Sequence, residues 1–408
     1  RCIAGNNLPL YSHFEEYNSD AMAQRFHVMA KHSLEHIAAN ESDAFTTVSK
    51  LTANECIQFL GRNPDVITPN GFDDSLFMGE EALSAKRFAA REKLLAVAQS
   101  VTGQPLPSDT LLLINSGRYE FRNKGIDLFL DALANLNSNK QLTYPVVAFI
   151  TIPAHHSGPV PGLIEKLESG SFDDPQEKKY LTHGLFEPDY DPILRRLKEN
   201  SLFNSLQDQV KVIFVPSYLN GNDGVFNLSY YDLLPGFDLS VFPSYYEPWG
   251  YTPLESLAFG VPTVTTTLAG FGLLMKNSVK DSGITVIERN DDNNEKVVTD
   301  IVSVVLSFEK MSETTRGNVS SSSIDLARTL FWSNLLTYYK EAYSLALEKV
   351  SDRSDLFRDK RQAEIVISVN GKKTSHPEWR KVLVNHVFPD ALKGLLTLSR
   401  NLYWCWNS

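Results

Sequence analysis

From residue 110 onward the hydrophobic pattern alternates between two periods. "TLLLINSGRYEF" (110–121) opens with an unbroken apolar run of strand length, the mark of a strand buried on both faces. The following "NKGIDLFLDALANLN" (123–137) switches to a period near 3.6, with apolar residues at 126, 129, 130 and 133 along one helical stripe. "PVVAFITI", "VKVIFVP", "DLSVFPS", "VPTVTTT" and "GITVIE" repeat the strand pattern, and helices are expected at 253–259 and from 294 onward. A long loop-and-helix region follows "PVVAFITI" to about residue 207. Upstream, the spacing predicts a helix over 19–40, a short strand in "DAFTTVS" (43–49) and a helix in "KLTANECIQFLG" closed by Gly61. A strand running into an Asn-Gly turn is expected in "DVITPNGFD" (65–73), then a helix around 80–100 ended by "TGQPLPSD".

Strands and helices alternating at these lengths predict an α/β fold with a doubly wound parallel sheet. Ligands of such sheets sit at the carboxyl ends of the strands, and the two densest motifs fall there. "GRYEFRNKG" follows one strand and "SYYEPWGYTP" follows another. After residue 351 the chain becomes charged and polar, a linker with room for one short strand, and "ALKGLLTLSRNLYWCWNS" closes it with two of its five tryptophans.

At 408 residues the chain is long enough for more than one domain. A formal charge of −10 argues against a general nucleic-acid binder, and no apolar run is long enough to span a bilayer. Cys2, Cys56 and Cys405 are odd in number, far apart and in no metal-ligand pattern, as expected of free thiols in a reducing cytoplasm. The pair His155-His156 lies in a Pro-Gly loop and reads as solvated rather than metal-binding.

The motifs carry specific chemistry. In "YTPLESLAF", Thr252, Pro253 and Glu255 have the layout of a capping box, so Glu255 has a ready structural role in bonding back to the helix start. The same helix start is an anion site through its free N–H groups. Glu247, in an aromatic turn before a proline, needs a hydroxyl or cation partner if buried, and sugar hydroxyls are good donors to it. Trp249 and its neighbouring tyrosines offer apolar area to a ring or simply pack the core. Arg118 and Lys124 are surface cations when taken singly; at one strand end of a sheet whose other strand end carries glutamates, they suit a diphosphate. A sugar diphosphate is the economical ligand for the set, with the cations stabilising charge on the leaving diphosphate.

"PSYYEPWGYTPLES", "TTTLAGFG" and "SGRYEFRNKGIDLFLDAL" resemble the signature stretches of the animal and fungal type of glycogen synthases, glycosyltransferase family 3. "FTTVSKLTANE", "PDVITPNGFD" and "LTHGLFEPDYDPIL" extend the likeness over about residues 19–345. The resemblance implies a GT-B fold: residues 1–72 a remnant of a truncated acceptor-side lobe, 73–350 a complete Rossmann-like nucleotide-sugar lobe with closing helices, 351–375 a linker and 376–408 the start of a second module. It implies a retaining transfer of glucose from a nucleotide donor to the non-reducing 4-OH of an α-1,4-glucan in the cytoplasm. No cofactor is implied; the donor is UDP-glucose by family, with ADP-glucose the alternative. On the matching positions Glu247 holds the donor glucose with the backbone N–H groups of Trp249 and Gly250, and Glu255 holds the ribose in place of capping. Arg118 and Lys124 grip the diphosphate, Tyr251 and Thr252 meet the phosphate, and Tyr230 lies against the base. Lys31 stands where the family has an arginine. No metal site is implied, and the Asp-Asp pairs at 73, 173 and 291 read as loop carboxylates.

The family's glycine-rich donor loop would lie upstream of Arg1, so this chain by itself is expected to bind nucleotide weakly and not to turn over. The arginine-rich helix of eukaryotic members is missing from "SSSIDLARTLFWSNLLTYYKEAY", which points to a bacterial origin and away from glucose 6-phosphate control. "LKGLLTLSRNLYWCWNS" is similar to the opening of bacterial α-glucan phosphorylase-family proteins, which implies a fused phosphorylase module. Two rival readings follow: a module that has lost catalysis and holds glucan or nucleotide for an attached enzyme, and a scaffold for a phosphorylase. A homo-oligomer is compatible with all of them.

Overall fold

The computed structural model describes residues 8–139, 141–170, 172, 179–277, 282–359, 366–369 and 372–375. Residues 1–344 and 345–408 form two compact units. The larger unit is built on six strands: β1 (Leu111–Ser116), β2 (Val146–Thr151), β3 (Val210–Phe214), β4 (Leu239–Val241), β5 (Thr263–Thr266) and β6 (Ile284–Ile287). They pair in the order β6-β5-β4-β1-β2-β3, every pair parallel. This is the doubly wound 3-2-1-4-5-6 order, and the winding reverses between β1 and β4.

The apolar runs explain the sheet's depth. β1 and β2 are buried at all six positions and β3 at all five, because helices cover both faces. The helix Ile126–Ser138 sets Ile126, Phe129, Leu130 and Leu133, the stripe expected from its spacing, wholly inside the core. Leu94, Val97, Ala98 and Val101 do the same from the helix Glu80–Thr102.

Among the described residues ahead of the sheet, only Thr46–Thr47 and Val66–Ile67 pair as strands, in parallel with each other. Both are shorter than expected. Ser49 ends the first by capping the helix Lys50–Leu60 in a reciprocal capping box with Thr52, and that helix ends at Gly61 with φ +65°. Asn70-Gly71 forms no turn. Gly71 instead lets Trp332 approach, since a Cβ there would lie 2.8 Å from the Trp332 amide nitrogen.

The expected linker is helical over its first part, because the helix Trp332 begins runs to Asp359. Val366–Val369 and Lys372–Ser375 then pair antiparallel. The tryptophan-bearing tail from 376 lies outside the described residues. His155 is exposed, but His156 is not freely solvated: it meets the buried His183 ring edge-on at 4.8 Å. No described helix is long and apolar enough to cross a membrane.

Candidate active site

At the reversal between β1 and β4 the loops leave in opposite directions and open a crevice. A cleft of about 700 Å³ fills it, lined by nine of the ten residues predicted from the sequence: Arg118, Lys124, Tyr230, Glu247, Trp249, Gly250, Tyr251, Thr252 and Glu255. Lys31 is not brought there. Its side chain is 69% exposed, pairs with Glu35 one turn along its own helix at 3.6 Å and faces a separate cavity.

The loop after β1 reaches the loop after β4 through glycine. Gly125, with φ +67°, lies so close to Pro243 that a Cβ would fall 2.0 Å from its carbonyl oxygen. The Tyr245 amide then donates to the Asn123 carbonyl at 2.8 Å. The two loops therefore meet side by side, and Lys124 from one forms an ion pair with Glu247 from the other. Both are well buried, at 15% and 12% exposure, so each neutralises a charge that would be costly alone. Arg118 remains 61% exposed and contacts Glu120 at 3.0 Å.

Glu247 is fixed by its own backbone. Its amide donates to the Leu268 carbonyl and its carbonyl accepts from the Gly270 amide, both at 3.0 Å. Ser49 Oγ donates to the Pro248 carbonyl at 2.8 Å, and Gly270 allows this close approach because a Cβ there would strike both Ser49 and Pro248. Trp249 is 3% exposed, its ring edge-on to Phe271 at 5.7 Å, so its side chain packs the core and only its backbone is free to serve the cleft.

Gly250, at φ +96°, turns the chain into the helix Tyr251–Ala258. The amides of Trp249, Gly250, Tyr251 and Thr252 donate to no acceptor among the described residues, as expected at a helix start. The capping box does not form. The helix begins one residue before Thr252, no side chain caps it, and Glu255 instead accepts a hydrogen bond from the Tyr231 hydroxyl at 2.9 Å. Burial pushes the Glu255 carboxyl up, against a smaller lowering by that bond. Tyr230 shares a hydrogen bond with Ser116 Oγ at 2.9 Å, and burial beside Glu255 raises its hydroxyl well above the usual range.

Sequence reasoning missed Asn70 and Val48 from the N-terminal segment, Ser116 and Thr151 at the ends of β1 and β2, and Ser217 and Tyr218 after β3. Their place at strand ends was the available signal; being small or uncharged, they carried no chemistry of their own to mark them. Among the described residues no group of three or more His, Cys, Asp or Glu is placed to hold a metal ion.

A model of the family described as glycogen synthase matches residues 1–160 and 176–383. The chain belongs to the glycogen synthase family. It is 32% identical over 420 residues to a glycogen [starch] synthase of Caenorhabditis elegans, across 88% of this chain and 62% of that protein. It is 30% identical to glycogen [starch] synthase isoform 2 of Saccharomyces cerevisiae (85% and 59% covered) and 29% to the human liver glycogen [starch] synthase (86% and 58%). The chain thus spans about three-fifths of the length of these relatives.

Proposed function

We propose that the protein is a retaining glucosyltransferase of the glycogen synthase type, moving glucose from UDP-glucose to the non-reducing 4-OH of an α-1,4-glucan. One observation carries this reading. The Lys124–Glu247 pair, the unpaired amides of a helix start and Glu255 line a single cleft at the switch point of the sheet. Their chemistries match the successive parts of one ligand.

In this reading Glu247 accepts hydroxyls of the donor glucose, beside the Trp249 and Gly250 amides. Arg118, Lys124 and the helix amides hold the diphosphate and stabilise the charge that grows on it as the glycosidic bond to glucose breaks. Glu255 keeps Oε1 on Tyr231 and has Oε2 free of any protein partner among the described residues, which suits a ribose hydroxyl. Tyr230 borders the base. The acceptor glucan approaches the sugar end, and the enzyme works in the cytoplasm. The likeness of residues 392–408 to a phosphorylase opening adds a second module acting on the same polymer.

Calorimetric titration with UDP, and separately with ADP, tests the reading in wild type and Glu255→Ala. UDP binding that weakens about tenfold or more on substitution is expected, since a hydrogen bond to a carboxylate contributes about 1.5–3 kcal/mol. Tighter binding of ADP would overturn the donor assignment. Absence of binding by a folded protein would overturn the transferase reading and favour a scaffold.

A further inference from the structure

Tyr245 and Tyr246 immediately precede Glu247, and each ends on a carboxylate supplied from far away in the chain. Tyr246 is 4% exposed and donates its hydroxyl to Glu55 Oε2 at 2.8 Å, while Tyr11 donates to Glu55 Oε1 at 2.7 Å. Tyr245 donates to Asp291 Oδ1, and Asp291 Oδ2 accepts from the Ser12 amide at 2.7 Å and from the Ser12 hydroxyl. Arg289 lies over the Tyr245 ring at 5.3 Å and donates to the Pro243 carbonyl. None of Glu55, Asp291, Tyr11 or Ser12 lines the cleft.

Glu55 is half-buried, on a cavity it shares with Leu10, and its two tyrosine partners pack with Leu10, Leu51 and Leu268, where phenylalanines would fill the same space without a carboxylate. What the carboxylates add is direction: each fixes a tyrosine hydroxyl, and the tyrosine fixes the backbone next to Glu247. We propose that Glu55 and Asp291 are positioning residues that hold the Tyr245-Tyr246 step and so set Glu247 against Lys124. The residues around Leu10–Ser12 act as the outer half of this clasp. The inference rests on the reading of Glu247 as the group that receives the donor sugar, and it adds that this position depends on chain segments some 190 residues before it and some 44 after it.

Two measurements on the full chain test it, with Glu55→Gln, Tyr246→Phe and Asp291→Asn. The first is hydrogen exchange across residues 244–250 of the free protein, which needs no ligand. Each variant is expected to speed exchange there about tenfold, with the segment around Glu255 unchanged, since one hydrogen bond to a carboxylate is lost. The second compares UDP with UDP-glucose. UDP affinity should stay within about twofold, while the gain from the glucose group falls about tenfold. Unchanged exchange in the Glu55→Gln and Asp291→Asn variants overturns the clasp. So does a preserved glucose gain when UDP binds. If UDP fails to bind even the wild type, the transferase reading falls, and the exchange result alone decides whether the carboxylates position the loop.

Discussion

Gly125 sits where the two loops of the cleft touch, and replacing it with alanine separates two physical effects. The first is conformational: φ +67° is a left-handed backbone that costs an alanine about 1–2 kcal/mol. The second is steric. A Cβ at Gly125 would lie 2.0 Å from the Pro243 carbonyl oxygen and 2.7 Å from its carbonyl carbon, both well inside contact. Both are backbone atoms at the end of β4, so relief requires the loops to part, which costs about 1–3 kcal/mol by analogy with overpacked cores. The matched control is Gly61, whose φ is +65° and around which nothing lies within 4 Å. Urea denaturation should therefore show Gly125→Ala losing about 2–5 kcal/mol and Gly61→Ala only the conformational part. The parted loops should also weaken UDP-glucose binding in Gly125→Ala and leave it unchanged in Gly61→Ala. Equal destabilisation of the two variants would refute the close approach as the reason for glycine at 125.

Two further outcomes follow from the site. Glu255 has a carboxyl pKa raised by burial, so its ionisation opposes folding: the stability it permits is full below the usual carboxylate range and is lost as pH rises through its folded value. Glu255→Gln should therefore gain stability over wild type as pH rises from 4 to 8, as read by thermal denaturation across that range, and a constant difference would contradict the burial argument. Ser49→Ala removes both a helix cap and the hydrogen bond to Pro248, and should cost about 1–3 kcal/mol in urea denaturation. A loss below about 0.5 kcal/mol would show that neither bond matters.

The sheet was legible because burial on both faces leaves a continuous apolar signal. The helix from Ile126 was legible because burial on one side leaves a stripe. The cleft followed from a rule of topology, since motifs at strand ends converge wherever the winding reverses. What the sequence hid was relational. Thr252-x-x-Glu255 has capping-box spacing, but Gly250 moves the helix start and Tyr231 claims the carboxylate, and neither event is encoded in the four residues themselves. Asn70-Gly71 carries a turn signal, yet its glycine answers to Trp332, some 260 residues away. Glu55 resembles any polar residue on a helix until Tyr11 and Tyr246 are seen meeting on it. Thr151 and Ser217 are ordinary side chains brought to the cleft by the strand one ends and the strand the other follows.

On the proposed reading, the pairing of Lys124 with Glu247 would make recognition an exchange of partners. The Lys124 ammonium is already satisfied by the carboxylate beside it. A lone phosphate arriving there would have to draw Lys124 away and leave Glu247 stranded in a poorly solvated place. A lone sugar would face the mirror problem. Only a molecule bringing phosphate oxygens and hydroxyls together satisfies both groups at once. On the proposed reading the cleft would discriminate through what it refuses to leave unpaired, with Arg118, which faces water, supplying the first attraction.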